Sequence, residues 1–399
     1  MFTTQQLERY ADVLLWGLQT ARTRAFKKGD IVLVRFNLRA IKLAELLHVR
    51  LLDRRLQPML RMLATDSMEY DFFSHADGDQ LTFIAPGEKE MVNSLNGTIF
   101  LNAPESLTHL QNIDSRKITT ATIARKPLRD ILTRREENGL FGWTLCSLTT
   151  PQLARHAAMS QKDYTGQIVK ACYLNAADAV AKWDAIFSNA REIKQWLNSM
   201  RIVSYHIQSP RIDLRIAHGQ QRRWIGISGH NIPSFELFMS PDWRGTAGIY
   251  FADQPSYRNG NLVRDVRLEF KNGCVCAVDA EYGRAFVQEQ ISMDAGSGRL
   301  GEFSLTDTRF SKIDCFMADT LFDENFGGRY GNCHVALGAS YSDTFRGKPA
   351  QLTKKRKQQL GFNDSALHWD LVNTEKKTVT AHLAGGRRQV IYENGRFKI

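Results

Sequence analysis

The stretch Ala366-Leu367-His368-Trp369-Asp370-Leu371-Val372 alternates two kinds of residue. In an extended chain successive side chains point to opposite faces. Leu367, Trp369 and Leu371 therefore fall on one side, and His368 and Asp370 on the other. One face suits burial. The other offers an imidazole and a carboxylate side by side, a pair able to ligate a divalent cation. The same pattern also fits a half-buried strand with an ordinary polar face.

A second stretch, Leu321-Phe322-Asp323-Glu324-Asn325-Phe326-Gly327-Gly328-Arg329-Tyr330-Gly331-Asn332-Cys333-His334, holds three glycines within five residues. Such a run makes a loop with unusual backbone angles, here bracketed by an acidic pair and a histidine that leads into Val335-Ala336-Leu337-Gly338. No Lys-Ser/Thr follows the glycines, which excludes a phosphate-binding P-loop. Tyr341, seven residues after His334, is a phenol that can donate to an oxyanion or pack at a strand end. Glu302, in Leu300-Gly301-Glu302-Phe303-Ser304-Leu305, stands at the start of an expected strand. Glu236 closes Asn231-Ile232-Pro233-Ser234-Phe235-Glu236. Either glutamate alone reads as a surface carboxylate. Gly296-Ser297-Gly298-Arg299-Leu300-Gly301 fits the G-x-G-x-x-G spacing. A strand follows it, however, where the dinucleotide fingerprint requires a helix N-terminus.

The elements that must position these groups are partly legible. Thr3 or Thr4 caps a helix in which Leu7, Tyr10, Ala11, Leu14, Leu15 and Leu18 recur at helical spacing. The β-branched run Ile31 to Phe36 predicts a buried strand. A helix from Ile41 to Leu56 follows, then an apolar run from Met59 to Leu63. Strand, helix, strand in this order predicts a parallel βαβ layer. Residues 151–200 read as helical nearly throughout. From Ile202 to about Gly283 the pattern becomes alternating, with hairpin turns at Asn259-Gly260 and Asn272-Gly273. The expected boundary lies near 190–205. Residues 1–195 are then an α/β domain with a parallel sheet, and residues 196–399 a β-rich catalytic domain, giving a chain of mixed α/β and α+β class.

With 399 residues, 43% hydrophobic and 24% charged, the composition is that of a globular chain long enough for two cores. No apolar run approaches the roughly 20 residues of a membrane span, and the N-terminus lacks the pattern of a signal peptide. A cytoplasmic location is expected. The six cysteines form no C-x-x-C pair, so free thiols are expected. The net charge of +11 raises nucleic acid as a partner. However, the densest basic run, Lys354 to Lys357, has no interleaved aromatics and reads as a solvated face.

Taken in order, N-x-P-x-x-E, L-G-E, L-F-D-E-N with its glycine loop and H-x-A-L-G, then N-x-S-x-x-H-x-D resemble the aminopeptidase T family of thermophilic metalloproteases. The resemblance is strong over residues 200–399 and faint before residue 190, where Lys27-Lys28-Gly29-Asp30 and the strand after it carry it. It implies a dimeric metallo-aminopeptidase with two divalent cations. Glu236, Glu302, Glu324, His334, His368 and Asp370 would be the metal ligands, Glu302 the bridging or base-like carboxylate, and Tyr341 the catalytic phenol. Family members usually carry Gly before the first glutamate, where this chain has Phe235, and the Glu324–His334 loop is longer. Both departures bear on the substrate pocket.

The expected chemistry is hydrolysis of a peptide bond at a free N-terminus by a water activated between two divalent ions. Zinc, cobalt or magnesium is expected, with the imidazoles favouring zinc or cobalt. Two other classes remain open at this point: a two-metal hydrolase of a non-peptide bond, and a basic nucleic-acid-binding protein that has lost catalysis.

Overall fold

The computed structural model describes residues 1–399. Contacts divide the chain into two compact units. The first comprises Met1–Phe187, Ile227–Ser234 and Met317–Leu321; the second comprises Ser188–Gly226, Phe235–Phe316 and Phe322–Ile399.

The first unit is built on a five-stranded sheet in the order Gln57–Met62, Ile31–Phe36, Gly97–Asn102, Gly142–Ser147, Asn231–Ile232, with every neighbouring pair parallel. The βαβ layer expected from the first 63 residues is present. The helix Thr4–Thr20 opens with Thr3 and Gln6 bonding reciprocally across its first turn, which satisfies two donors the helix cannot satisfy itself. It buries Tyr10, Ala11, Leu14, Leu15 and Leu18. Gly17 is required by close approach, because a Cβ there would collide with the Gly229 carbonyl and the Thr144 hydroxyl.

The second helix, Ile41–Asp53, ends three residues before the expected Leu56. Arg55 takes a left-handed conformation (φ 57°) and the Leu56 N–H turns back to the Leu51 carbonyl, a close that consumes an end carbonyl. Residues 151–200 likewise resolve into Pro151–His156, Gln161–Ala171 and Ala179–Ser199. The breaks fall where Ala158 and Tyr173 adopt positive φ. Neither residue signals a break by type, so the pattern read as one continuous stretch.

The second unit stacks two antiparallel sheets. The larger runs Cys274–Asp279, Val266–Lys271, Asp242–Ala252, Asp213–Ala217, Ile202–Gln208, Thr378–Leu383, Arg388–Glu393, Arg396–Phe397. Asn272-Gly273 joins two of its strands with positive φ at both residues, and Asn259-Gly260 does the same between Ser256–Arg258 and Asn261–Val263, as two-residue hairpins demand.

The smaller sheet runs His368–Asn373, Asn332–Gly338, Leu300–Thr306, Glu236–Met239, Ile225–Gly226. Aromatic side chains fill the space between the sheets. Tyr205 and Trp224 lie 5.3 and 5.4 Å from Phe303, ring centre to ring centre. The Tyr250 hydroxyl donates to the carbonyls of Cys333 and Leu371, at 3.0 and 2.7 Å. Rings of this size dominate core burial, and their polar ends need partners. Residues 236–239, 300–306 and 332–338 are buried on both faces, so polar side chains on them are taken out of water.

Candidate metal centre

The register of the smaller sheet puts the acidic and imidazole side chains together. Glu236 stands opposite Thr306, Ser304 opposite His334, Glu302 opposite Ala336, Ala336 opposite Asp370, and Gly338 opposite His368. Side chains of directly opposed residues share a face. Glu236, Glu302, Ser304, His334, His368 and Asp370 therefore converge on one side of four neighbouring strands.

The distances follow. His334 Nε2 lies 3.0 Å from Glu236 Oε2, 3.2 Å from Glu302 Oε1 and 3.9 Å from Asp370 Oδ1. His368 Nε2 lies 3.7 Å from Glu302 Oε2 and 3.6 Å from Asp370 Oδ1. One donor atom each from Glu236, Glu302 and His334 fall within 4.8 Å of one another. The His368 ring is oriented from behind, since its Nδ1 meets the Ala339 carbonyl at 2.9 Å. A proton on that nitrogen leaves Nε2 turned to the carboxylates. Ser304 Oγ donates to Glu236 Oε2 at 3.0 Å.

Glu324 is the one acid of the set that is not on a strand. It follows the short helix Thr320–Asp323. Its carbonyl accepts from Asn332 Nδ2 at 2.9 Å and from the Thr306 hydroxyl at 3.4 Å. The glycine loop behind it turns at Gly331 (φ 60°), where a Cβ would strike Tyr392 Oη and the Thr306 carbonyl. Tyr341 lies just beyond the Asn332–Gly338 strand. Its N–H donates to Ser240 Oγ at 2.9 Å, and its ring packs edge-on between Phe238 and His368, at 5.6 and 4.8 Å.

Electrostatics separate the groups. Burial, with Glu236 nearby, lifts the Glu302 carboxyl to about 7 against the His334 hydrogen bond. Burial also lifts Glu324 well above the usual range, with the charges of Glu236 and Asp370 adding to it. Burial works to lower both imidazoles, but their acidic partners win. His334 is held well above its ordinary value by Glu236 and Glu302, and His368 is raised to about 9 by Asp370. Asp370 falls to about 2, because the His368 charge outweighs its burial. Burial, then the surrounding carboxylates, pushes the Tyr341 phenol well above its ordinary value.

Four carboxylates and two imidazoles pressed together out of water repel unless protons or cations compensate them. His334 Nδ1 is also buried without a hydrogen-bond partner. A mixed oxygen and nitrogen donor set of this kind fits divalent cations.

A family model, Thermophilic metalloprotease (M29), matches residues 3–397. The chain belongs to this family. It is therefore a metalloprotease, and membership implies divalent metal ions. The match spans the first 190 residues as well, where the sequence motifs are faint. Aminopeptidase AmpS of Bacillus subtilis (strain 168) is 26% identical over 330 residues, 78% of each chain. Aminopeptidase T of Thermus aquaticus is 29% identical over 244 residues, 58% of each chain. Wild-type AmpT from Thermus thermophilus superposes with a TM-score of 0.79 at 21% identity, covering 99% of both chains. This last match carries the fold: a parallel sheet with helices, followed by antiparallel sheets.

Within this member of the family, the sequence motifs did not single out Ser304 or Asn332, and they included Asn325, at the end of L-F-D-E-N, without a role. Ser304 and Asn332 had a usable signal, since each lies two residues along a strand from Glu302 or His334 and so shares its face. The role of Asn325 had none, because an asparagine in a loop reads as a turn residue. A separate, partly exposed group in the first unit, Asp66, Glu69 and His109, also escaped the sequence reading.

Proposed function

We propose that the chain is a metal-dependent aminopeptidase that removes N-terminal residues from peptides, with Glu236, Glu302, Glu324, His334, His368 and Asp370 holding two divalent ions. The observation that carries this reading is the convergence of Glu236, Glu302 and His334 from three strands to within 4.8 Å, out of water. Bound divalent ions supply Lewis-acid polarisation of the carbonyl and a water of lowered pKa. The imidazoles favour zinc or cobalt over magnesium.

The chain's own residues then have distinct tasks. Glu302, buried with its Oε1 3.2 Å from His334 Nε2, can take a proton from the attacking water and return it to the leaving amine. Tyr341, kept protonated by its surroundings, donates a hydrogen bond to the tetrahedral oxyanion, a contribution of about 3 kcal/mol. His368 and Asp370 are the most accessible edge of the cluster, at 24% and 15% side-chain exposure. Substrate enters there, and the acidic lining attracts its α-ammonium group. That attraction selects free N-termini over internal peptide bonds.

The names of AmpS and aminopeptidase T support this activity for the present chain. The same reading takes 1–195 and 196–399 as the two domains, with every assigned residue in the second, although by contacts residues 188–195 join the second unit and Ile227–Ser234 and Met317–Leu321 the first. It takes the protein as a cytoplasmic homodimer; no helix is long and apolar enough to cross a membrane. The test is a panel of aminoacyl-p-nitroanilides beside N-acetylated counterparts. Cleavage of the free-amine substrates alone supports the proposal. Equal cleavage of both, or of neither while a phosphate or carboxyl ester is hydrolysed, contradicts it.

A further inference from the structure

Glu236, Glu302 and His334 are fixed by the hydrogen-bond ladders of their strands. Glu324 has no ladder. Asn332 and Thr306 hold its backbone carbonyl, which leaves the direction of its carboxylate to be set by another contact. Asn325 supplies one. Its Nδ2 faces Glu324 Oε1 at 3.4 Å, while its Oδ1 accepts the N–H of Phe235 at 2.5 Å.

Phe235 immediately precedes Glu236, and the contact joins segments 90 residues apart. Asn325 is fully buried, and its own backbone is held by Ser311 Oγ on its carbonyl and by its N–H on the Phe322 carbonyl. The side-chain amide cannot turn over, because that would set its NH2 against the Phe235 N–H, donor to donor. With the oxygen committed to Phe235, the NH2 must face Glu324. One side chain thus ties the start of the Glu236 strand to the carboxylate of Glu324.

We propose that Asn325 is a positioning residue that locks Glu324 against Glu236 and so sets the affinity of the second divalent ion, far more than that of the ion held by Glu236, Glu302 and His334. This rests on the two-ion reading above. Groups that orient a ligand from behind change metal affinity by about 10- to 100-fold when removed. Here the change falls mainly on one ion of two, because the pairing of Glu236 with Thr306 still holds its strand when the Phe235 N–H is released.

The experiment is a Co2+ titration of the full chain, stripped of metal, followed by calorimetry and by visible absorption. Wild type shows two ions per chain; a single ion overturns the two-ion reading itself, independently of Asn325. In Asn325→Ala the second ion binds about 10- to 100-fold more weakly, while the first weakens far less and keeps its spectrum. Circular dichroism of the stripped protein checks the fold. If Asn325→Ala does not fold, Ser311→Ala, which releases the Asn325 carbonyl and the Ile313 N–H but leaves the Asn325 amide in place, shows the same split at smaller size. Equal weakening of both ions, or of neither, in the folded variant overturns the proposal.

Discussion

His334 Nε2 lies 3.2 Å from Glu302 Oε1, with both side chains buried and the Glu302 carboxyl raised to about 7. A carboxylate placed beside the attacking water can accept its proton and pass it to the leaving amine within one turnover. Glu302→Gln keeps the shape and a bond to His334 but removes the base. We expect kcat on leucine-p-nitroanilide to fall by about 100- to 10,000-fold with the circular dichroism unchanged. Loss of less than about tenfold would remove Glu302 from its assigned role.

Tyr341 makes a narrower prediction. Its ring packs on Phe238 and His368, and phenylalanine preserves those contacts. Tyr341→Phe should therefore lower kcat by about 100-fold, the equivalent of roughly 3 kcal/mol, with KM little changed. A rise in KM at constant kcat would assign the hydroxyl to ground-state binding instead.

The metal-free chain should be less stable in alkali, and the sign follows from three groups. Glu302, raised by burial from 4.5 to about 7, contributes stability through its proton below 4.5 and loses it as pH rises through 7. His368, raised by Asp370 against burial from 6.5 to about 9, contributes below 6.5 and loses it as pH rises through 9. Asp370, depressed by His368 against burial from 3.8 to about 2, contributes above 3.8 and loses it only as pH falls through 2. In chelator the Tm should accordingly fall between pH 5 and 9, and His368→Gln should flatten the part above pH 6.5. A metal-free Tm that climbs across this range would contradict the charge arrangement.

Packing behind the site is tested by Phe303→Ala. Phe303 is fully buried against Tyr205 and Trp224 between the two sheets. Truncation should cost about 3–5 kcal/mol in urea unfolding of the metal-free chain. A cost under about 1 kcal/mol would mean that the sheets do not depend on this aromatic layer.

How much of this was legible in the sequence depended on which face of a strand meets water. His368 and Asp370 stand on a strand with one half-exposed face, so alternation displayed them directly. Glu302 and His334 stand on strands buried on both sides; no alternation frames them, and only the ordered set of motifs drew them together. Glu324 was marked by its glycine loop. Asn325 stood in the L-F-D-E-N motif, but its task was illegible, because its contact to Phe235 spans 90 residues and no local pattern encodes such a contact. In the first unit the βαβ order was plain from β-branched runs and helical spacing. The breaks at Ala158 and Tyr173 were not, since these residues take positive φ without belonging to the types that favour it.

The central claim is that this cluster works by holding divalent ions. The most direct measurement is leucine-p-nitroanilide hydrolysis after exhaustive chelation, then after titration with zinc or cobalt, with bound metal counted in parallel. The account predicts complete loss of activity on stripping and recovery in step with two ions per chain. His334→Ala should recover neither the ions nor the activity. Full activity in a chain shown to hold no metal would contradict it.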